Sequence, residues 1–343
     1  MFDRDALTLL CTRHEGALTG LAAVEQALNA RFYGMAGPVR GLVLAVASGE
    51  PLLLIGPPGT AKSRLVRAFC GLIGLVDETR PAAGDGDYFE YLLTPFTEPG
   101  ELFGYFDIAR LHAREGLHRI DVGMMQHAKV VFLDEVFNGS SAILNSLLTF
   151  INERVFHDRG LVVPVAMECL FGATNEIPRA AELRAIFDRF LLRSRVDNVE
   201  ESPQALASLM QYGWRDTYTP HGPDPALGGL LEGLVALRAD IARLTSEHGL
   251  EPAPDPQFFG NLAHLVRIAR QYGVSAMSNR RLVKMMSVML LHRLYRTVSA
   301  GDDPAAIDPA PGPEELALFW EYFLDSADPL VVDKMRRLAF EPA

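Results

Sequence analysis

The hydrophobic positions of the chain follow two different periods, and their alternation predicts the order of its elements. Apolar residues recur at three- and four-residue spacing between residues 15 and 48, which predicts two helices separated near Gly34 and Gly37. Residues 52–55 form a short apolar run ended by Gly-Pro-Pro-Gly, a pattern typical of a strand buried on both faces of a parallel sheet. Residues 62–75 return to the helical period.

Two later apolar runs share this strand pattern, and each leads into polar residues at its C-terminal end. Residues 130–133 precede Asp134 and Glu135, and residues 168–174 precede Asn175. The carboxyl ends of parallel strands meet at one edge of a sheet, so these polar side chains are expected to lie together. The alternation of strands and helices therefore predicts an α/β fold in which helices flank a parallel sheet.

The remaining pattern divides the chain in two. The segment VFHDRGLVVPV predicts a hairpin that turns at Asp158-Arg159-Gly160. The strand pattern fades after about residue 220, where PHGPDPALGG is rich in proline and glycine. Three stretches then have helical periodicity: residues 226–245, 257–272 and 278–297. We therefore predict an α/β domain over residues 1–220 and a smaller all-α domain over residues 221–343.

Composition and charge restrict the classes of partner and compartment. Of 343 residues, 49% are hydrophobic and 22% charged, which is typical of a globular protein, and the net charge of −11 favours a protein partner over nucleic acid. The cysteines Cys11, Cys70 and Cys169 lack metal-ligand spacing and are expected to be buried thiols in a reducing compartment. Neither a signal peptide nor an apolar stretch of about 18 residues is visible, so a cytoplasmic protein without a membrane span is expected.

One loop has the chemistry of a phosphate-binding site. Gly56-Pro57-Pro58-Gly59-Thr60-Ala61-Lys62-Ser63 lies between a predicted strand and a predicted helix, where its backbone N–H groups could surround the phosphates of ATP. Lys62 would contact the β- and γ-phosphates, and the Ser63 hydroxyl would bind Mg²⁺. Ala61 departs from the strict pattern, which has glycine at this position. The alternative is a Gly/Pro turn followed by a surface lysine, which this context disfavours.

The polar residues at the strand ends supply the other groups that hydrolysis needs. Asp134 would bind Mg²⁺, and Glu135 would polarise the water that attacks the γ-phosphate. Asn175 would position that water and sense the γ-phosphate. Alternatively, the acidic pair only begins a loop and caps the next helix, and Asn175 is a turn residue.

Together these motifs identify a family resemblance. GPPGTAKS, FTEPGELFG at 96–104, VVFLDEVFNGSSAILNSLLTFINERVF at 130–156, ATNEIP at 173–178 and IFDRFLLR at 186–193 occur in order. In this order they resemble the MoxR family of AAA+ ATPases, and most of all its RavA subgroup, in which alanine before the lysine is familiar. The resemblance implies that Lys62 and Ser63 belong to Walker A, that Asp134 and Glu135 belong to Walker B, and that Asn175 is sensor 1.

The resemblance also assigns arginines. Arg189 matches the arginine finger that reaches the nucleotide of a neighbouring subunit, with Arg184 and Arg193 close enough in sequence to compete for this role. An alternative is that Arg189 only pairs with a nearby acid, Asp188 or Glu182.

Arg280 matches sensor 2, which would contact the γ-phosphate of its own subunit. Arg281 is the fallback, Ser278 is a plausible helix N-cap, and a solvent-exposed arginine at a helix start is the alternative.

For function, the resemblance implies an ATPase that forms a ring, with a hexamer as the family expectation. Such a ring would remodel or activate a protein client, with a separate von Willebrand factor A domain protein as partner. Two other functions stay open: a nucleic-acid-dependent motor, and a nucleotide-gated scaffold with little turnover.

Overall fold

The computed structural model describes residues 2–78, 86–114, 116–158, 161–252, 255–325 and 329–338. The helices are α1 (Arg4–Arg13), α2 (Glu15–Arg31), α3 (Ala36–Ser48), α4 (Lys62–Leu72), α5 (Pro99–Phe103), α6 (Ile108–His112), α7 (Ser141–Glu153), α8 (Arg184–Phe187), α9 (Pro203–Tyr218), α10 (Leu230–His248), α11 (Pro256–Gln271), α12 (Asn279–Ala300), α13 (Pro313–Tyr322) and α14 (Pro329–Leu338). The strands are β1 (Leu52–Ile55), β2 (Tyr88–Leu92), β3 (Val130–Asp134), β4 (Val155–Asp158), β5 (Leu161–Pro164), β6 (Cys169–Thr174) and β7 (Leu192–Arg195).

Five strands form one parallel sheet in the order β2-β3-β6-β1-β7. Successive side chains of a strand point to opposite faces, and in β1 both faces are buried. Leu52 and Leu54 join one hydrophobic cluster, whereas Leu53 and Ile55 join the other. The apolar runs therefore lack polar alternation because helices cover both sides of the sheet, and the predicted α/β class is confirmed.

Two of the five strands and several helices, among them the short helices α5, α6 and α8, were not predicted from the sequence. β2 and β7 interleave polar residues with apolar ones, in YFEYL and LRSR, and so lack the continuous apolar run that identified the others. Helix α1 and helix α9 were also missed. Between residues 62 and 75 the helix ends at Leu72, three residues earlier than the pattern suggested, near Gly74 with φ of 80°.

The helices after residue 220 pack on the N-terminal helices. The predicted stretches correspond to α10, α11 and α12, and the predicted N-cap Ser278 accepts a hydrogen bond from the backbone N–H of Arg281 at 3.4 Å. One hydrophobic cluster contains Leu21 of α2, Leu234 of α10 and Met289 of α12. The division at residue 220 stays a prediction, but the two parts share a core.

The predicted hairpin is present as the antiparallel pair β4 and β5, in which Val155 lies opposite Pro164 and Asp158 opposite Leu161. Arg159 and Gly160, the predicted turn, lie outside the described residues. Arg119 anchors the hairpin, because its Nε donates to Asp158 at 2.9 Å and its guanidinium lies over the ring of Phe106. In the described ranges, no helix has the length and apolar character that crossing a membrane requires.

Candidate functional site

The loop between β1 and α4 has a backbone conformation that restricts which residues it can contain. A Cβ atom on Gly56 would lie 1.9 Å from the carbonyl oxygen of Val196, so no larger residue fits there. Gly59 has φ of 83°. Ala61, the N-cap of α4, has φ of 63° and ψ of 25°. This left-handed backbone conformation is unfavourable for any residue that has a Cβ atom. The backbone is therefore strained at Ala61, where α4 begins without a side-chain cap for its first N–H groups.

Lys62 is buried at the base of this loop. Its side chain is only 7% exposed, and Nζ donates to the carbonyl of Gly56 at 2.6 Å, the carbonyl of Pro57 at 3.0 Å and Oδ1 of Asn175 at 3.2 Å. Burial lowers the pKa of Lys62, and the carboxylates of Asp134 and Glu135 oppose that shift. The ammonium group is thus held beside the carboxylates that the sequence associated with it.

A tight turn at the end of β3 fixes the positions of Asp134 and Glu135. Glu135 has φ of 48°, and its backbone N–H donates to Oδ1 of Asp134 at 3.0 Å. The N–H of Val136 then donates to the carbonyl of Ala173 in β6 at 3.0 Å, which fixes the turn against the neighbouring strand. A glutamate in the left-handed region is an uncommon and strained conformation, and such strain is found most often at functional sites.

Asn175 connects the lysine to the glutamate. It follows β6 directly, and Glu135 accepts hydrogen bonds from its backbone N–H and its side-chain amide. One orientation of the amide satisfies both contacts, because Oδ1 accepts from Lys62 while the NH₂ group donates to Glu135. Burial, followed by repulsion from Asp134, raises the pKa of Glu135, while Lys62 and Asn175 lower it. A raised pKa suits a carboxylate that accepts a proton.

These groups fit magnesium and a phosphate chain chemically. The positive end of α4 and a buried ammonium favour an anion. The Ser63 hydroxyl and the Asp134 carboxylate are oxygen ligands of the kind Mg²⁺ prefers. In addition, a cleft of about 640 Å³ opens beside Ser63.

Asp216 of α9 stabilises that cleft and was missed in the sequence. Its carboxylate accepts from Nε of Arg31 at 2.8 Å and also pairs with Arg64 of α4 and with His221. The side chain is only 3% exposed. No local pattern indicated this role, because Arg31 is 185 residues away along the chain.

Of the five arginines proposed from the sequence, two are buried. Arg193 of β7 and Arg281 of α12 are buried and share the carboxylate of Asp325. Arg193 also stacks on Phe187, and its burial lowers its pKa to about 9. Arg184, in contrast, is exposed on α8. Arg193 and Arg281 are therefore placed as structural members of a buried ionic cluster.

Arg189 and Arg280 lie near one another. Burial lowers the pKa of Arg189, and the charge of Arg280 lowers it further while Asp188 opposes this. Arg189 contacts Asp188 at 3.6 Å, the ion pair that the sequence offered as an alternative, although its side chain stays 25% exposed. Arg280 is exposed at the start of α12, and Oγ of Ser278 donates to Asp188 at 3.3 Å.

The structure thus divides the sequence-derived residues into two groups. Gly56 to Ser63, Asp134, Glu135 and Asn175 meet at the carboxyl edge of the sheet. Arg189 and Arg280 form a second group with Asp188, the arginine corner. The charges of Asp134 and Glu135 raise the pKa of Lys62, and the charge of Arg280 lowers the pKa of Arg189.

Comparison with known proteins gives one family. Residues 19–227 match the family described as the MoxR domain in MoxR-vWA-beta-propeller ternary systems. Two uncharacterized proteins of Methanocaldococcus jannaschii are each 36% identical over 179 residues, which is 52% of this chain and 45% and 44% of theirs. A structural protein of Acidianus two-tailed virus is 30% identical over 178 residues, 49% of this chain and 28% of its own. The chain therefore spans less than half the length of these relatives.

One solved structure matches nearly the whole fold. It is a protein of Cytophaga hutchinsonii described as a candidate ATPase, with a TM-score of 0.61 and 12% identity. The match covers 95% of this chain and 96% of that one. At this identity, the likeness concerns the fold alone.

Proposed function

Because the chain belongs to the MoxR family of AAA+ ATPases, we propose that it hydrolyses Mg-ATP at the phosphate loop and uses the energy in a ring to remodel or activate a protein client. The observation that carries this proposal is the hydrogen-bonded series from Lys62 through Asn175 to Glu135. It joins a phosphate-binding cation to a carboxylate with a raised pKa. A scaffold that only binds nucleotide needs the first of these groups but not the second.

Each residue of the site has a distinct role in the proposed hydrolysis. The loop from Gly56 to Ser63 binds the phosphates, and Lys62 neutralises their charge. Mg²⁺, held by Ser63 and Asp134, would stabilise negative charge on the phosphate oxygens. Glu135 accepts a proton from the attacking water, and Asn175 orients Glu135 through its two hydrogen bonds.

The arginines complete the site from a second chain. We propose Arg189 as the arginine finger. Arg184 is exposed, whereas Arg189 is partly buried beside Arg280. Arg193 already pairs with Asp325 and is not available to a nucleotide. Since Arg280 lies with Arg189, we propose that both act on the nucleotide of the same neighbouring subunit. This proposal replaces the role of Arg280 within its own subunit that the sequence suggested.

The client and its adaptor follow from the family. The matched family is named for systems that contain a vWA protein, so we propose a separate von Willebrand factor A domain protein as partner. The motifs favour membership of the RavA subgroup and a hexameric ring. The net charge of −11 agrees with a protein client rather than nucleic acid.

The experiment compares Glu135→Gln with the wild type in ATP binding and in ATP hydrolysis. Loss of the proton acceptor should lower the hydrolysis rate by at least about 100-fold while ATP still binds. Glu176→Gln is the matched control, because Glu176 is an exposed acid next to Asn175. This variant should hydrolyse ATP at the wild-type rate. Full hydrolysis by Glu135→Gln would contradict the assignment. Tight binding without turnover in the wild type would favour the scaffold, and stimulation by DNA that salt abolishes would favour the nucleic-acid motor.

A further inference from the structure

Helix α9 presents an apolar stripe to solvent. Of its 16 residues, Ala205 and Asp216 are the buried ones. The stripe consists of large apolar side chains at four-residue spacing, which places them along one side of the helix. Its members are Leu206, Met210, Trp214 and Tyr218, with exposed fractions of 39%, 70%, 66% and 66%. Because a surface helix normally buries its apolar side, this arrangement indicates a partner that covers the stripe.

An apolar groove lies between α11 and α12. It has a volume of about 680 Å³, with Arg267 and Arg270 at its rim. Helix α11 contributes Phe259, Leu262, Ala263 and Val266, and helix α12 contributes Leu282, Val283 and Met286. Val283 is 71% exposed. A helix that carries a row of large apolar side chains fits a groove of this kind between two helices.

We propose that the stripe of α9 in one copy of this chain docks into the α11/α12 groove of a second copy. The charges agree, since the exposed acids Glu200 and Glu201 precede α9 and basic residues border the groove. Each chain carries both surfaces as separate sets of residues, so the contact is heterologous and repeats from copy to copy until a ring closes.

The two surfaces also border the two halves of the ATP site. Stripe helix α9 is tied to α4, the helix that begins at Lys62, through the ion pair of Asp216 with Arg64. On the groove side, Arg280 precedes Val283 by one turn of α12. Docking therefore brings the arginine corner of one copy to the phosphate loop of the next. This inference rests on the proposed function of a site shared between chains, and it specifies which surfaces join them.

The test uses two variants that each block one surface. Met210→Asp places a carboxylate in the stripe, and Val283→Asp places one in the groove. Both residues are exposed, so both variants should fold, which circular dichroism checks. Val122→Asp is the matched control, because Val122 is 78% exposed and belongs to neither surface. The measurement is the mass of the assemblies by analytical ultracentrifugation with Mg-ATP.

We expect the wild type and Val122→Asp to form large assemblies. Each blocking variant alone should lose assembly affinity by at least about 100-fold, because docking would press a charged carboxylate against the apolar side chains of the other surface. An equal mixture of Met210→Asp and Val283→Asp should form dimers and nothing larger, since such a pair keeps one intact stripe and one intact groove. A monomeric wild type, a blocking variant that assembles like wild type, or a mixture that stays monomeric or grows beyond dimers would overturn the proposal.

ATP hydrolysis by the mixed dimer tests which chain supplies which half. The intact contact joins the stripe of the Val283→Asp chain to the groove of the Met210→Asp chain, so the first chain supplies the phosphate loop. Adding Lys62→Ala to the Val283→Asp chain should abolish hydrolysis by the mixture, whereas adding it to the Met210→Asp chain should not. The reverse pattern would overturn the stated polarity. Dimers that hydrolyse no ATP in any combination would count against the proposed function, while the masses alone decide the interface.

Discussion

The phosphate loop and the arginine corner are built from the same kinds of charged side chain but are completed differently. Around the loop, Asn175 already contacts both Lys62 and Glu135 within one chain. At the arginine corner, Arg189 contacts Asp188 at 3.6 Å, and the charge of its neighbour Arg280 lowers its pKa. The loop region is a preorganised set of partners, whereas the arginines are held near one another in spite of like charge.

This contrast indicates what each region needs. Backbone geometry fixes the loop region, because the carboxyl ends of adjacent strands β1, β6 and β3 meet at one edge. The arginine corner depends on the ionic cluster of Arg193, Arg281 and Asp325, which joins β7 to α12 and to the segment after α13. The repulsion between two neighbouring positive side chains is offset when an anion binds to both of them.

The largest expected effect on stability is at that cluster. Asp325→Asn leaves two buried guanidinium groups without their carboxylate and should lower the free energy of unfolding by about 3 kcal/mol. Denaturant titration measures this. Asp333→Asn, which removes an exposed partner of Arg337, is the control and should change stability little. Equal losses in both variants would show that the cluster does not hold the arginine corner.

An intermediate effect is expected in the pH dependence of hydrolysis. Asn175→Ala removes the side-chain hydrogen bond that stabilises the Glu135 carboxylate, so the already raised pKa of Glu135 should rise further. Glu135 acts as a base only when it is deprotonated, and the fall of the rate toward acid should therefore begin at a higher pH than in the wild type. Rate profiles measure this shift, and Glu176→Gln should keep the wild-type profile. A pH profile unchanged by Asn175→Ala would show that Asn175 does not lower the pKa of Glu135.

The smallest effect concerns the strained turn of the loop. Ala61→Gly removes a Cβ atom from a left-handed residue and should raise the free energy of unfolding by about 0.5–1 kcal/mol. Ala207→Gly, in the exposed part of α9, should lower it by a similar amount because glycine disfavours a helix. Thermal unfolding distinguishes the two signs. Destabilisation by both substitutions would mean that the loop does not strain Ala61.

The sequence predicted the loop region well because its chemistry follows strand ends. The buried runs before Gly56, Asp134 and Asn175 were visible, and the parallel order of their strands places those residues at one edge. Edge strands β2 and β7 were missed because polar residues interrupt them.

The arginines were harder, since their roles depend on distant contacts. Arg281 and Arg193 were candidates on sequence grounds, yet both are committed to Asp325, which lies 44 and 132 residues away along the chain. Asp216 carried no signal because its partner Arg31 is 185 residues away along the chain. A local sequence pattern shows which residues follow a strand, but it does not show which distant residue a charged side chain will pair with.

The central claim is that ATP is hydrolysed where the phosphate loop of one chain meets the arginine corner of another. Mixing Lys62→Ala subunits with Arg189→Ala subunits tests it most directly, because each parent lacks one half of every site. If both halves come from different chains, about a quarter of the sites in a mixed ring are intact, and ATPase activity should return to about a quarter of the wild-type rate. Mixed rings that form, as verified by mass, and yet stay as inactive as either parent would contradict the claim.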